Sequence, residues 1–129
     1  MNELIARRKI LVVDDEEDMR ELLAATLQDE GYHLLFARDG QQALKTIASE
    51  KPELVLLDVV MPGMQGWDVL KAIKSDPETC HIKVAMLTAL VRTSVTKMAY
   101  EMGADGYLTK PFTITAALEK VRGLMGVKE

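Results

Sequence analysis

Asp14, Asp15, Asp58, Thr88 and Lys110 are the residues of this 129-residue chain whose types and settings could do chemistry. Asp58 closes the apolar run Leu54-Val55-Leu56-Leu57, Asp14-Asp15 closes Ile10-Leu11-Val12-Val13, and Thr88 and Lys110 follow two further short runs. Three converging carboxylates repel one another and raise one another's pKa, so a stable cluster of this kind implies a bound cation. Hard oxygen donors select magnesium, a small octahedral ion that keeps several waters and takes one or two carboxylates plus phosphate oxygens. On that chemistry Asp15 and Asp58 are direct ligands, Asp14 has an outer or water-mediated role, and the backbone carbonyl of Val60 is a third protein ligand. A metal with room for phosphate oxygens, beside a lysine and a hydroxyl, is equipped for phosphoryl transfer with Asp58 as the nucleophile. Magnesium and Lys110 would offset the charge on the transferring group while Thr88 hydrogen-bonds an equatorial oxygen. No nucleotide-binding loop or second substrate pocket is legible, so the predicted product is the phosphorylated protein itself.

The elements that must position these residues are legible as alternating patterns. Short apolar runs mark strands at 10–13, 33–37, 54–58, 83–88 and 106–109, those at 10–13 and 54–58 of the continuous type expected where a parallel strand is covered on both faces. Helical spacing is carried by Met19, Leu22, Leu23 and Thr26, with Asp18 as the expected cap, and by Ala43, Leu44 and Ile47 after Asp39-Gly40. Trp67, Leu70 and Ile73 mark a third helix, Val95, Met98, Ala99 and Met102 a fourth, and Ile114, Ala117, Leu118, Val121 and Met125 a fifth. Five strands alternating with five helices specify a doubly wound, flavodoxin-like α/β domain with right-handed crossovers. In the strand order 2-1-3-4-5 the winding reverses between the first and third strands, opening a crevice at their carboxyl ends where the five candidate residues would meet.

Length and charge narrow the remaining classes. The chain fits one domain, 1–129, with a core from about 9 to 126. A net charge of −4 with no basic stripe argues against direct nucleic-acid binding. One cysteine, Cys80, allows no internal disulfide, and the apolar run after Arg7-Arg8-Lys9 is too short for export or a membrane span, so a cytoplasmic location is expected. Cys80-His81 without further ligands reads as a surface loop, Met98 and Met102 as core packing, and Trp67 as a partly exposed helix residue.

Taken together, the acidic pair Asp14-Asp15, Asp58 followed by Met61-Pro62-Gly63, Thr88-Ala89, and Gly103-Ala104-Asp105-Gly106-Tyr107 leading to Lys110-Pro111 resemble a response-regulator receiver domain of two-component signalling, of the stand-alone chemotaxis type. The resemblance covers nearly the whole chain. It implies transfer of a phosphoryl group from a histidine kinase or histidine phosphotransfer protein onto Asp58, reversed by hydrolysis. It further implies a switch in which Thr88 moves toward the phosphoryl group and Tyr107 turns inward, altering a partner-binding face built by the fourth helix, fifth strand and fifth helix. A cis Lys110-Pro111 bond, and a monomer or phosphorylation-dependent dimer, are also expected from it. Both a stand-alone regulator and the receiver of a longer protein fit these residues.

The sequence departs from many receivers at Val60 and Leu90, two positions after the acceptor and two after the hydroxyl residue, where polar side chains are common. These apolar residues are expected to hinder the attacking water and prolong the phosphorylated state. Two other classes share parts of this equipment. A haloacid-dehalogenase-type magnesium phosphohydrolase also uses a strand-end aspartate, but it needs a second Asp where Val60 stands and usually a cap insertion. A flavin carrier would share the fold, yet Asp14-Asp15-Glu16-Glu17 would repel its phosphate. A phosphorylation-independent interaction module of receiver type is the remaining alternative, against which the intact residue set argues.

Overall fold

A computed structural model of the protein describes residues 7–89 and 93–126. Strands β1 (Lys9–Val13), β2 (His33–Ala37), β3 (Leu54–Asp58), β4 (Lys83–Thr88) and β5 (Gly106–Thr109) alternate with helices α1 (Glu17–Leu27), α2 (Gly40–Glu50), α3 (Gly66–Ser75), α4 (Thr93–Glu101) and α5 (Ile114–Met125). The strands form one parallel sheet in the order β2-β1-β3-β4-β5. The doubly wound five-stranded fold expected from the alternating pattern is therefore the observed one.

Period-two geometry divides each strand between two cores. Leu11, Val13, Val55, Leu57, Val84 and Met86 pack beneath α2, α3 and α4. Ile10, Val12, Leu54, Leu56, Ala85 and Leu87 pack beneath α1 and α5. All of β3 is buried, which is why its run contains no polar residue before Asp58. Register sets Val13 opposite Leu57, Asp58 opposite Leu87 and Thr88 opposite Thr109, so the strand ends share one rim.

Local structure departs from expectation at several helix positions. The N-cap of α1 is Glu16 rather than Asp18, which lies inside the first turn with Glu17. The reason is visible one step earlier: the Asp14 carboxylate accepts from the Glu16 N–H at 2.9 Å and turns the chain before Asp18 is reached. Asp39 caps α2, accepting from the Gln42 N–H at 2.8 Å. Leu22, Met98 and Ile114, expected inward, are exposed, and Leu27 instead completes the α1 stripe with Leu23. An apolar residue flanking a helix's buried stripe satisfies the same spacing rule as one inside it. Trp67 is half-buried against the α2–α4 core, and Cys80 and His81 are exposed.

Candidate functional site

The ladder of the sheet continues past the strand ends and fixes the backbone of the candidate residues. The Asp14 N–H donates to the Ala37 carbonyl at 3.1 Å, the Val59 N–H to Leu87 at 3.0 Å and the Lys110 N–H to Thr88 at 2.7 Å. Asp14 is thereby held by β2, the residue after Asp58 by β4, and Lys110 by β4 as well. The Lys110-Pro111 peptide bond is cis, as expected.

With the backbones fixed, the side chains converge. Asp14, Asp15 and Asp58 each offer a carboxylate oxygen within 4.8 Å of the others, so the three could hold a metal ion. Lys110 Nζ donates to Asp14 Oδ2 at 2.8 Å and lies 3.5 Å from Asp58 Oδ1. A cavity of about 370 Å³ opens over them, lined by Asp15, Asp58, Val60, Thr88 and Lys110 together with Glu16 and Ala89. Asp14 is absent from that lining because it is 0% exposed. Its oxygens are already engaged by Lys110 and the Glu16 N–H, which suits an outer rather than a direct role toward a cation. Asp15, exposed at the cavity wall, has the opposite setting.

The electrostatics follow from this geometry. Burial and the neighbouring Asp14 charge push the Asp58 carboxyl up to about 6, against the pull of Lys110 and of a hydrogen bond from the Val60 backbone N–H. Burial works against the Lys110 ammonium, but its hydrogen bond to Asp14 and the charges of Asp14 and Asp58 outweigh that and hold its pKa above the ordinary value. The ionised Asp58 carboxylate is thus held at a cost, chiefly of burial, that an added cation would offset. A hard, all-oxygen donor set of this kind fits magnesium in type.

The sequence pattern left three participants unmarked. Glu16 lines the cavity, Arg20 donates to the Asp14 carbonyl at 2.7 Å, and Gln65 donates to the Met61 carbonyl at 2.7 Å. The acidic run Asp14 to Asp18 was the only sequence signal touching the first. Arg20 and Gln65 act on backbone carbonyls, which no residue-type pattern advertises. Tyr107 is half-buried against the α2–α4 core, and burial pushes its phenol up, opposed by a hydrogen bond with Thr96 of α4. A second cavity, of about 530 Å³, lies beside β5 and α5 and includes Tyr107, Ala116, Lys120 and Leu124. Leu90 lies outside the described residues.

A family model described as the response regulator receiver domain matches residues 10–122. The chain belongs to the response regulator receiver family. Receivers are phosphoacceptor signalling domains of two-component systems and interact with histidine kinases and downstream effectors. The receiver is 42% identical over 120 residues to response regulator PleD of Caulobacter vibrioides, covering 93% of this chain and 26% of PleD. It is 39% identical over 116 residues to the DNA-binding response regulator MtrA of Mycobacterium tuberculosis, covering 90% of this chain and 50% of MtrA. The chain thus spans between a quarter and a half of these curated relatives. The chemotaxis protein CheY4 of Vibrio cholerae superimposes with a TM-score of 0.86 at 31% identity, over 92% of this chain and 99% of that one. The signal receiver domain of a putative Luxo repressor protein from Vibrio parahaemolyticus gives a TM-score of 0.88 at 27% identity, over 93% and 91% of the two chains. Among the described residues, no helix of the receiver is long and apolar enough to cross a membrane.

Proposed function

We propose that this receiver is a switch charged on Asp58 by a phosphohistidine of a kinase or phosphotransfer protein. The observation that carries the reading is the lysine bridge: one ammonium touches both a fully buried carboxylate and Asp58, itself only 6% exposed, at the floor of an open cavity. Asp58 Oδ attacks phosphorus, the P–N bond to the donor histidine breaks, and the imidazole keeps the electron pair. Lys110 sets positive charge beside the transferring oxygens, and Thr88, 2% exposed at the end of β4, is placed to donate its hydroxyl to one of them. Asp15, Asp58 and the Val60 carbonyl, with Asp14 in an outer role, would hold magnesium, which would supply charge neutralisation for the phosphate oxygens. The receiver, with its core from about 9 to 126, acts in the cytoplasm, and its net charge of −4 suits protein partners rather than DNA. Thr88 and Tyr107 relay the modification to the α4–β5–α5 face, where the larger cavity offers a partner room. A monomer, or a dimer formed on phosphorylation, fits that use of the face.

Incubation with acetyl phosphate and magnesium followed by intact-mass measurement tests this. A single phosphoryl adduct is expected; continuous release of phosphate from many small esters would favour the hydrolase reading instead. The cavity wall argues against the latter, since Val60 offers no acid or base there.

Cation affinity should depend on pH. Because the metal-free Asp58 carboxyl sits at about 6, a proton competes with the ion below that value and not above it. Calorimetric titration should show magnesium binding about tenfold weaker at pH 5 than at pH 8. Equal affinity at the two values would remove Asp58 from the ligand set.

The lifetime of the phosphorylated form is the next expectation. Val60 is 59% exposed and lines the cavity beside Asp58, so its side chain covers the approach of water with apolar surface. Val60→Asn supplies a hydrogen-bonding group that can hold the attacking water. Loss of the adduct after removal of acetyl phosphate should quicken by roughly two- to tenfold, the worth of one hydrogen bond. Val60→Asn combined with Leu90→Glu extends the test, and an unchanged lifetime in both variants would sink the idea.

A further inference from the structure

The turn between β3 and α3 is built more tightly than connection of two elements requires. Val59 and Met61 are each 1% exposed and point into the α2–α4 core, while Val60 between them faces the cavity. Val60 lies beside Asp58 on the cavity wall, and its backbone N–H favours the ionised form of that carboxylate. At the far end of the turn the Gly66 N–H donates to the Val59 carbonyl at 2.9 Å. A Cβ on Gly66 would collide with the Asp58 carbonyl oxygen and lie 2.8 Å from Val59 Cα, so the start of α3 is pressed directly onto the acceptor's backbone. Between these anchors one side chain crosses the turn: Gln65 Nε2 donates to the Met61 carbonyl at 2.7 Å. Gln65 also stands at the N-cap of α3, where its backbone N–H donates to Asp68 Oδ2 at 3.1 Å.

We propose that Gln65 is a positioning residue for Asp58, its side-chain amide latching the Met61 carbonyl so that the Val60 peptide stays aimed at the acceptor carboxylate. The inference deepens the reading of Asp58 as phosphoacceptor and rests on it. Gln65 and Asp68 form a capping box at the start of α3. Ser, Thr, Asp and Asn would cap that end as well or better, so capping alone does not call for glutamine. What glutamine adds at this point is length and an N–H donor, and both are used on the Met61 carbonyl. The latch acts through Met61 and Val60 and touches no reacting atom.

Two substitutions separate the latch from helix capping. Gln65→Ser shortens the side chain beyond reach of Met61 while installing a better N-cap. Gln65→Glu keeps the length and sets an anion at a helix N-terminus, which is favourable, but cannot donate to a carbonyl. Both variants should melt no lower than the wild type, yet acquire phosphate from acetyl phosphate at saturating magnesium about three- to tenfold more slowly. In the metal-free protein, the Val60 amide should shift in the nitrogen-15 NMR spectrum and exchange with solvent faster. A Val60 amide unchanged in both variants would overturn the latch, as would a wild-type rate. Absence of any adduct on the wild type would instead overturn the acceptor reading and with it the link to phosphorylation, leaving the NMR result to judge the contact itself.

Discussion

In an Asp58→Asn variant the phosphoryl adduct is expected to vanish while the metal-free protein becomes more stable at pH 8. The first outcome follows from chemistry. The amide oxygen is no nucleophile, and removing the attacking group from an assembled site lowers the rate by at least about a thousandfold. Intact-mass measurement after acetyl phosphate treatment reads it directly, and an adduct persisting on the variant would move the acceptor elsewhere.

The second outcome follows from the sign of the pKa displacement. The Asp58 carboxyl sits at about 6 in the fold against an ordinary 3.8. The folded state thus binds this proton more tightly than the unfolded chain does, and the ionised carboxylate works against folding. That penalty is absent below about 3.8, grows between 3.8 and about 6, and is complete above 6. Its size is on the order of 2–3 kcal/mol. Asparagine carries no charge at any pH and escapes it. Melting curves in EDTA should therefore place the variant several degrees above the wild type at pH 8, with the two converging near pH 4. A receiver that keeps such a group at its core edge gives up stability for the charge it holds there.

The same physics decides which parts of the molecule are readable in the chain. Asp58 and Asp14 could be placed at one rim because β3 and β1, which feed them, are buried on both sides, and a continuous apolar run that stops on a charge fits little besides a covered strand reaching the sheet edge. Helix faces were less legible. Met98 and Ile114 fit the spacing of buried residues but lie at the flank of their stripes, and only the packed neighbours decide which flank is covered. The start of α1 was misplaced because the Asp14 carboxylate turns the chain early, a side-chain-to-backbone contact without periodicity. Gln65 escaped for the same reason: its partner is the Met61 carbonyl, and every residue has one.

Lys110→Met is expected to separate the two roles that the lysine combines. Methionine keeps much of the aliphatic volume and removes the ammonium, so Asp14, 0% exposed, loses its 2.8 Å partner. Breaking a buried pair in this way costs about 3–5 kcal/mol, with the lower figure expected because the lysine side chain retains some solvent contact. The Lys110 pKa lies above its ordinary 10.5 in the fold, so its contribution is fully present below 10.5 and is lost only as pH rises through the higher folded value. The whole loss should accordingly appear in a melting curve at pH 7–8. Phosphorylation by acetyl phosphate should slow by about 10²–10³-fold, the usual consequence of removing one charge-stabilising donor from a reacting site. Saturating magnesium divides these effects. A divalent ion at the carboxylates can replace the missing positive charge and so stabilise the variant more than the wild type, but it leaves unfilled the position of Nζ between Asp14 and Asp58. The stability gap should narrow with magnesium while the rate gap persists. If the ion restored both, Lys110 would be a counter-ion only, and the charge stabilising the transferring group would have to come from elsewhere on the rim.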